Sequence, residues 1–217
     1  MKAILFDLDG TLVDSLSATF DAFNHVIEKF NRPRMAPAEI MKYFGVGEGG
    51  IFAGILGPEQ ADEAYAQVKE YMDENVHRMP LHAGVLELLE QVRAAGIPTS
   101  IVTGRSWGTT KIILEHHGIL DRFVTVVADD HVSSPKPSPE GLLLALGRMK
   151  VEARDSFYVG DSPADIRAAR AAGAQGVAAL WDLLARRESL EPQQPHHWAT
   201  QPADVWAIWE TVLAKRR

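Results

Sequence analysis

Short apolar runs alternate along this chain with stretches whose apolar positions recur every three or four residues. Ala3–Phe6, Thr99–Val102, Val124–Ala128, Ser156–Val159 and Gly176–Leu180 are mostly apolar and four or five residues long, as buried strands are. Between them lie helical patterns. In Ala83–Gly96, Val85, Leu88, Leu89 and Val92 recur at helical spacing and Gly96 supplies a stop; Trp107–Gly118 reads the same way. Strands alternating with helices predict parallel pairing through crossover helices, hence a doubly wound, Rossmann-like α/β sheet.

The alternation breaks between about Leu16 and Leu81. The stretches "SATFDAFNHVIEKF", "PAEIMKYFG" and "PEQADEAYAQVKEYMDENVHRM" all carry the helical period. A block of helices inside a βα series predicts an inserted all-helical domain at 16–81, with the α/β core formed by 1–15 and 82–217. Its joints fall near Val13–Leu16 and Pro80–Ala83. Further on, "RRESLEPQQPHHWATQP" has no period and reads as a surface loop. In the last segment Val205, Trp206, Ile208, Trp209, Val212 and Leu213 predict a helix with a broad apolar face on the core.

Composition narrows the picture. The 217 residues are 46% hydrophobic and 24% charged, enough to bury a sizeable core. A net charge of −7 with no basic run argues against a nucleic-acid partner. With no cysteine, thiolate metal sites, disulfides and cysteine nucleophiles are excluded. No apolar run approaches the roughly 18 residues of a membrane span, and "MKAILFDLDG" lacks the pattern of a secretory signal. A soluble cytoplasmic protein, monomeric or homodimeric, is expected.

The chemistry gathers where the predicted strands end. The first strand runs into Asp7-Leu8-Asp9-Gly10-Thr11, the second into Thr103-Gly104, and the fourth into Gly160-Asp161-Ser162 with Asp165 close behind. Lys136 stands between two prolines in the loop before the fourth strand. Parallel α/β sheets bind ligands beyond the carboxyl ends of their strands, so these residues are expected to converge. Clustered carboxylates form a hard oxygen site suited to Mg²⁺. A carboxylate can also attack phosphorus, while a lysine, a hydroxyl and backbone N–H groups hold the phosphoryl oxygens. Residues i and i+2 of an extended chain point the same way, so Asp7 and Asp9 can both face one phosphoryl group, and Gly10 permits a tight turn after them. A calcium loop counted from Asp7 fails, because its sixth and twelfth positions are Leu12 and Ala18.

"FDLDGTLVDS", Thr103 in "VTGRS", Lys136 in "PKPSPE" and "VGDSPADIRAA" together resemble, in order, the four motifs of the haloacid dehalogenase-like phosphohydrolases. The helical block after the first motif is similar to the cap of their phosphoglycolate phosphatase and β-phosphoglucomutase branch. The resemblance implies a Mg²⁺-dependent phosphatase acting on a small phosphate ester such as phosphoglycolate. Asp7 would be the nucleophile and a metal ligand. Asp9 would be the general acid and then the base, with its carbonyl on the metal, and Asp161 the remaining ligand. Thr11, Thr103, Gly104 and Lys136 would bind the phosphoryl group, with Asp165 in support.

Other readings stand beside this one. A phosphosugar mutase would use the same residues, and a catalytically silent regulatory module would keep the fold alone. A dehalogenase has no need of Asp9, and a phosphonate hydrolase needs a cap lysine for which Lys42 and Lys69 offer no supporting context. Arg105 is a candidate substrate contact. "GVGEGG" (45–50) follows a helix instead of a strand, so it reads as a flexible cap loop with Glu48 as a specificity candidate. The pairs His116–His117 and His196–His197 lack a zinc pattern and are expected at the surface.

Overall fold

The run Ala-Ile-Leu-Phe has no polar position on either face, so it is stable only where both faces are covered. In a computed structural model, which describes residues 2–212, it becomes a central strand, β1 (Ala3–Phe6), with every residue buried. Around it stand β2 (Thr99–Val102), β3 (Thr125–Val127), β4 (Ser156–Gly160), β5 (Gln175–Ala179) and β6 (His197–Ala199). The order is β3-β2-β1-β4-β5-β6, and every neighbouring pair is parallel. The chain winds outward from β1 to β3, then returns to β1's other side as β4. That reversal opens a crevice between the carboxyl ends of β1 and β4.

Four helices separate β1 from the next element of the core: α1 (Leu16–Lys29), α2 (Pro37–Ile40), α3 (Gly47–Leu56) and α4 (Pro58–Asn75). They share an apolar interior in which Phe23 and Phe52 meet edge to face at 5.3 Å, with Val26, Ile27, Val68 and Met72 buried around them. The remaining helices cover the sheet: α5 (Val85–Ala94), α6 (Trp107–His116), α7 (Glu140–Met149), α8 (Pro163–Ala172), α9 (Arg187–Leu190) and α10 (Pro202–Val212). None of the described helices is long and apolar enough to cross a membrane.

The two expected joints are adjacent in space. Val13 and Leu81 form an antiparallel bridge, Asp14 N–H donates to Pro80 O at 2.9 Å, and His82 N–H donates to Leu12 O at 3.0 Å. The chain thus leaves and re-enters the core through one hydrogen-bonded ribbon.

Four expectations need correction. "GVGEGG" is not a loop throughout, because α3 begins within it at Gly47. Glycines disfavour helix, yet Ile51, Phe52 and Leu56 bury their side chains further along, and that packing outweighs the propensity. The segment read as loop near the C-terminus holds α9 and the sixth strand, β6, which is too short to show a period. β3 is one residue shorter at each end than expected, and β5 starts and stops one residue early. His117 is half-buried, bonded through Nε2 to Met79 O, and His197 is half-buried beside Gln175; His116 and His196 are exposed. The apolar face of α10 does pack on the core: Val205 and Trp209 are buried, and Trp209 meets Phe157 edge-on at 5.5 Å. Leu213 lies outside the described residues.

Candidate active site

Asp7 leaves β1 still in register with β4, its N–H donating to Val159 O at 2.9 Å. The chain then closes tightly. Leu8 O accepts from the N–H groups of Thr11, Leu12 and Val13, and Gly10 takes a positive φ of 73°. A β-carbon at Gly10 would run into the Asp161 carboxylate, so glycine serves both the turn and the close approach of β1's end to β4's.

Lys136 reaches the same point from the loop before α7. Its ammonium donates to Asp7 Oδ1 at 2.8 Å, Asp165 Oδ1 at 2.7 Å and the Tyr158 hydroxyl at 3.1 Å. Tyr158 in turn donates to Val102 O at 2.7 Å. Asp165 is the third residue of α8 and fully buried; its Oδ2 accepts from the N–H and hydroxyl of Ser162, a capping box that fixes the carboxylate. Carboxylate oxygens of Asp7, Asp161 and Asp165 all lie within 4.8 Å of one another.

Asp9 turns the other way. Arg105 donates to it from Nε at 3.1 Å and Nη2 at 2.6 Å, and the Ser15 hydroxyl donates as well. Thr103, at the end of β2, is buried, and its Oγ1 accepts from Arg105 N–H at 3.1 Å; Gly104 beside it is exposed and unobstructed.

A family model described as haloacid dehalogenase-like hydrolase matches residues 4–179, from β1 to the end of β5. The chain belongs to the haloacid dehalogenase-like hydrolases. It is similar to the phosphoglycolate phosphatase of Xanthomonas campestris pv. campestris (strain 8004), 31% identical over 214 residues that cover 96% of this chain and 97% of that one. The pyrophosphatase PpaX of Bacillus velezensis is 28% identical over 209 residues, covering 96% of each. Among solved structures, a "predicted phosphoglycolate phosphatase" from Haemophilus somnus 129PT superposes with a TM-score of 0.83 at 25% identity, covering 96% of this chain and 97% of that one.

In this haloacid dehalogenase-like hydrolase the two acids of the first motif sit in opposite electrostatic settings. Burial, with the charge of Asp165 and despite Lys136, pushes the Asp7 carboxyl up to about 7. Burial also opposes ionisation of Asp9, but the charge and hydrogen bonds of Arg105, with Ser15, outweigh it and hold Asp9 below the usual carboxylate range. Burial and the charges of Asp165 and Asp7 push Asp161 well up. Lys136 is raised, since the pull of Asp165 and Asp7 exceeds the cost of its burial.

Of the residues expected at the site, Asp7, Asp161, Asp165 and Lys136 converge, while Asp9 and Thr103 are both bonded to Arg105. The carboxylate cluster able to hold a cation contains Asp165 beside Asp7 and Asp161, while the Asp9 side chain, expected to act on protons, is committed to Arg105. Thr11 is buried and donates its hydroxyl to Asp161 at 3.3 Å. Tyr158, Ser15 and the Arg105–Asp9 pair were not foreseen. The only signal for Tyr158 is the general need of a buried tyrosine hydroxyl for a partner.

Proposed function

We propose that this hydrolase is a Mg²⁺-dependent phosphatase of small phosphate esters, working through a phosphoryl-aspartate at Asp7. The observation that carries this reading is the environment of Asp7: an ammonium on one oxygen, two further carboxylates within 4.8 Å, and a separately held acid two residues on. The donor set suits a hard divalent cation. Three buried carboxylates this close repel one another, and a cation removes that repulsion. Asp7 and Asp161 would hold it, with Asp165 beside them and the Asp9 carbonyl as the further oxygen the family likeness implies. Bound there, it would neutralise the attacking carboxylate and the phosphoryl oxygens together.

The chain's own groups then divide the work. Lys136 and Thr103, with the Gly104 amide, hold phosphoryl oxygens as charge shifts during transfer. An Asp7 oxygen attacks phosphorus, the ester P–O bond breaks, and the departing oxygen takes a proton from Asp9, as the family likeness implies, once that carboxyl is protonated and released from the Arg105 pairing that holds it ionised in the free protein. Water then attacks the phosphoryl-aspartate and gives a proton to Asp9; the Asp7–phosphorus bond breaks, releasing phosphate. Residues 16–81 act as a cap that closes over the ester and excludes bulk water, on a core of 1–15 and 82–217. The relatives named for phosphoglycolate make that ester the first candidate substrate. A cytoplasmic location fits the absence of cysteine, and the enzyme is a monomer or a homodimer in this reading.

The test compares wild type with Asp7→Asn on p-nitrophenyl phosphate and phosphoglycolate, with and without Mg²⁺. Wild type turns over only with the cation, and Asp7→Asn falls to background. Equal rates in the two proteins would end this reading.

A further inference from the structure

The strand ends opposite Asp7 hold a pocket of about 390 Å³, a size within the range of small-molecule sites. Arg154 reaches it from the turn before β4, Arg170 from the last turn of α8 and His196 from just before β6; Gly173, Ala174 and Gln175 complete it where the chain enters β5. Both arginine side chains are exposed. The chain carries a net charge of −7, yet among the described residues neither arginine has a carboxylate within ion-pair distance.

The polar side-chain groups left over in this pocket are all donors. Arg170 spends one Nη1 hydrogen on Gln194 O at 3.0 Å, and Arg154 has no partner among the described residues, so most of two guanidinium forks is free. His196 Nδ1 accepts from Gly176 N–H at 3.1 Å, which puts the proton of the neutral ring on Nε2. Burial and the charge of Arg170 lower the pKa of His196 and favour that neutral form. Gln175 commits its Oε1 to His197 Nε2 at 2.9 Å and keeps its amide N–H groups. Capping of α8 does not account for Arg170. The carbonyls of Ala169 and Arg170 are already answered by the N–H groups of Ala174 at 2.9 Å and Gly173 at 3.1 Å.

We infer that this pocket binds a small phosphate-bearing anion through Arg154, Arg170, His196 and Gln175, at the edge of the sheet away from the Asp7 cluster. Guanidinium forks match phosphate and carboxylate oxygens in pairs. Here the donors arrive from four separate segments, which suits the several oxygen directions of a tetrahedral phosphoryl group better than the single plane of a carboxylate. The site is independent of the catalytic reading, since it shares no side chain with the Asp7 cluster. α8 spans the distance between them, with Asp165 in its first turn and Arg170 in its last.

The His196 ring is a reporter inside the pocket. Its nitrogen NMR signals, assigned by their loss in His196→Gln, are followed in the full chain with EDTA present. Inorganic phosphate and β-glycerol phosphate are titrated in turn, with sodium chloride at matched ionic strength as the control. A saturable shift, complete by about 10 mM phosphate, is expected. Arg154→Gln removes no bond within the protein and should weaken binding about ten- to a hundredfold, as the loss of a charge-assisted hydrogen bond does. Arg170→Gln should do the same; if circular dichroism shows that it fails to fold, Arg154→Gln decides alone. A response to phosphate alone assigns the site to the free ion, and a response to the ester as well assigns it to phosphate monoesters; either upholds the inference. No saturable shift, an equal shift with chloride, or a shift that Arg154→Gln leaves unchanged overturns it.

Discussion

Asp7 and Asp9 are separated by one residue and titrate in opposite directions, and this has a consequence for stability. In the cation-free protein, folded Asp7 keeps its proton up to about pH 7, whereas the unfolded chain releases it near 3.8. Between those values the folded state binds more protons, so Asp7 makes stability fall as pH rises from about 4 to about 7. Asp9, held low by Arg105, acts with the opposite sign and below that window. Urea unfolding in EDTA at several pH values should show wild type losing stability across the window more steeply than Asp7→Asn. Parallel curves would contradict the environment described for Asp7. At this scale the acids and Lys136 are legible because each ends a recognisable strand or loop. Their partners are not, since nothing in "GVGEGG" announces that Glu48 caps a helix 58 residues away.

Elements are legible in proportion to their length and burial. β1 appears with the expected limits because an unbroken apolar run has one stable environment, between two covered faces; β2 does so although Thr99 and Ser100 are polar, all four of its residues being buried. β6 escapes detection because three residues at the sheet's edge carry no pattern, and α3 because its glycines oppose the helix that Phe52 and its neighbours impose. α10 is legible through its tryptophans. Trp209 is 4% exposed and meets Phe157 of β4 edge-on, so Trp209→Ala leaves a cavity under the sheet. Denaturant unfolding should show a loss of about 3–5 kcal/mol, as for other buried aromatics. The rate constant per folded molecule should stay near wild type, since α10 contributes no side chain to the site.

The whole molecule gathers one charge cluster from distant segments, and that cluster can report on the fold. If Asp7 and Asp161 hold a divalent cation in the folded state alone, Mg²⁺ at a hundredfold excess over its Kd adds about 2.7 kcal/mol. For a chain of this size that is a rise in Tm of roughly 5–10 °C. Thermal melts should show the rise in wild type and lose most of it in Asp161→Asn. A shift of the same size in both would place the cation elsewhere. Topology was legible at this scale from the βα alternation and its interruption. The contact between the two joints was not, because Val13 and Leu81 are unremarkable apart from each other.

That contact governs what the insertion can do to the rest of the chain. Since Val13 bridges Leu81, the path returns to the core at the place it departed, and the sheet sees no net displacement whatever lies between. Helices there can lengthen, tilt or exchange residues while β1 and β2 keep their register. Seen from the sheet, the insertion is the loop of an oversized hairpin. Change within the insertion is thereby decoupled from the geometry of the strand ends, except where Glu48, Thr19 and Met72 reach Arg105.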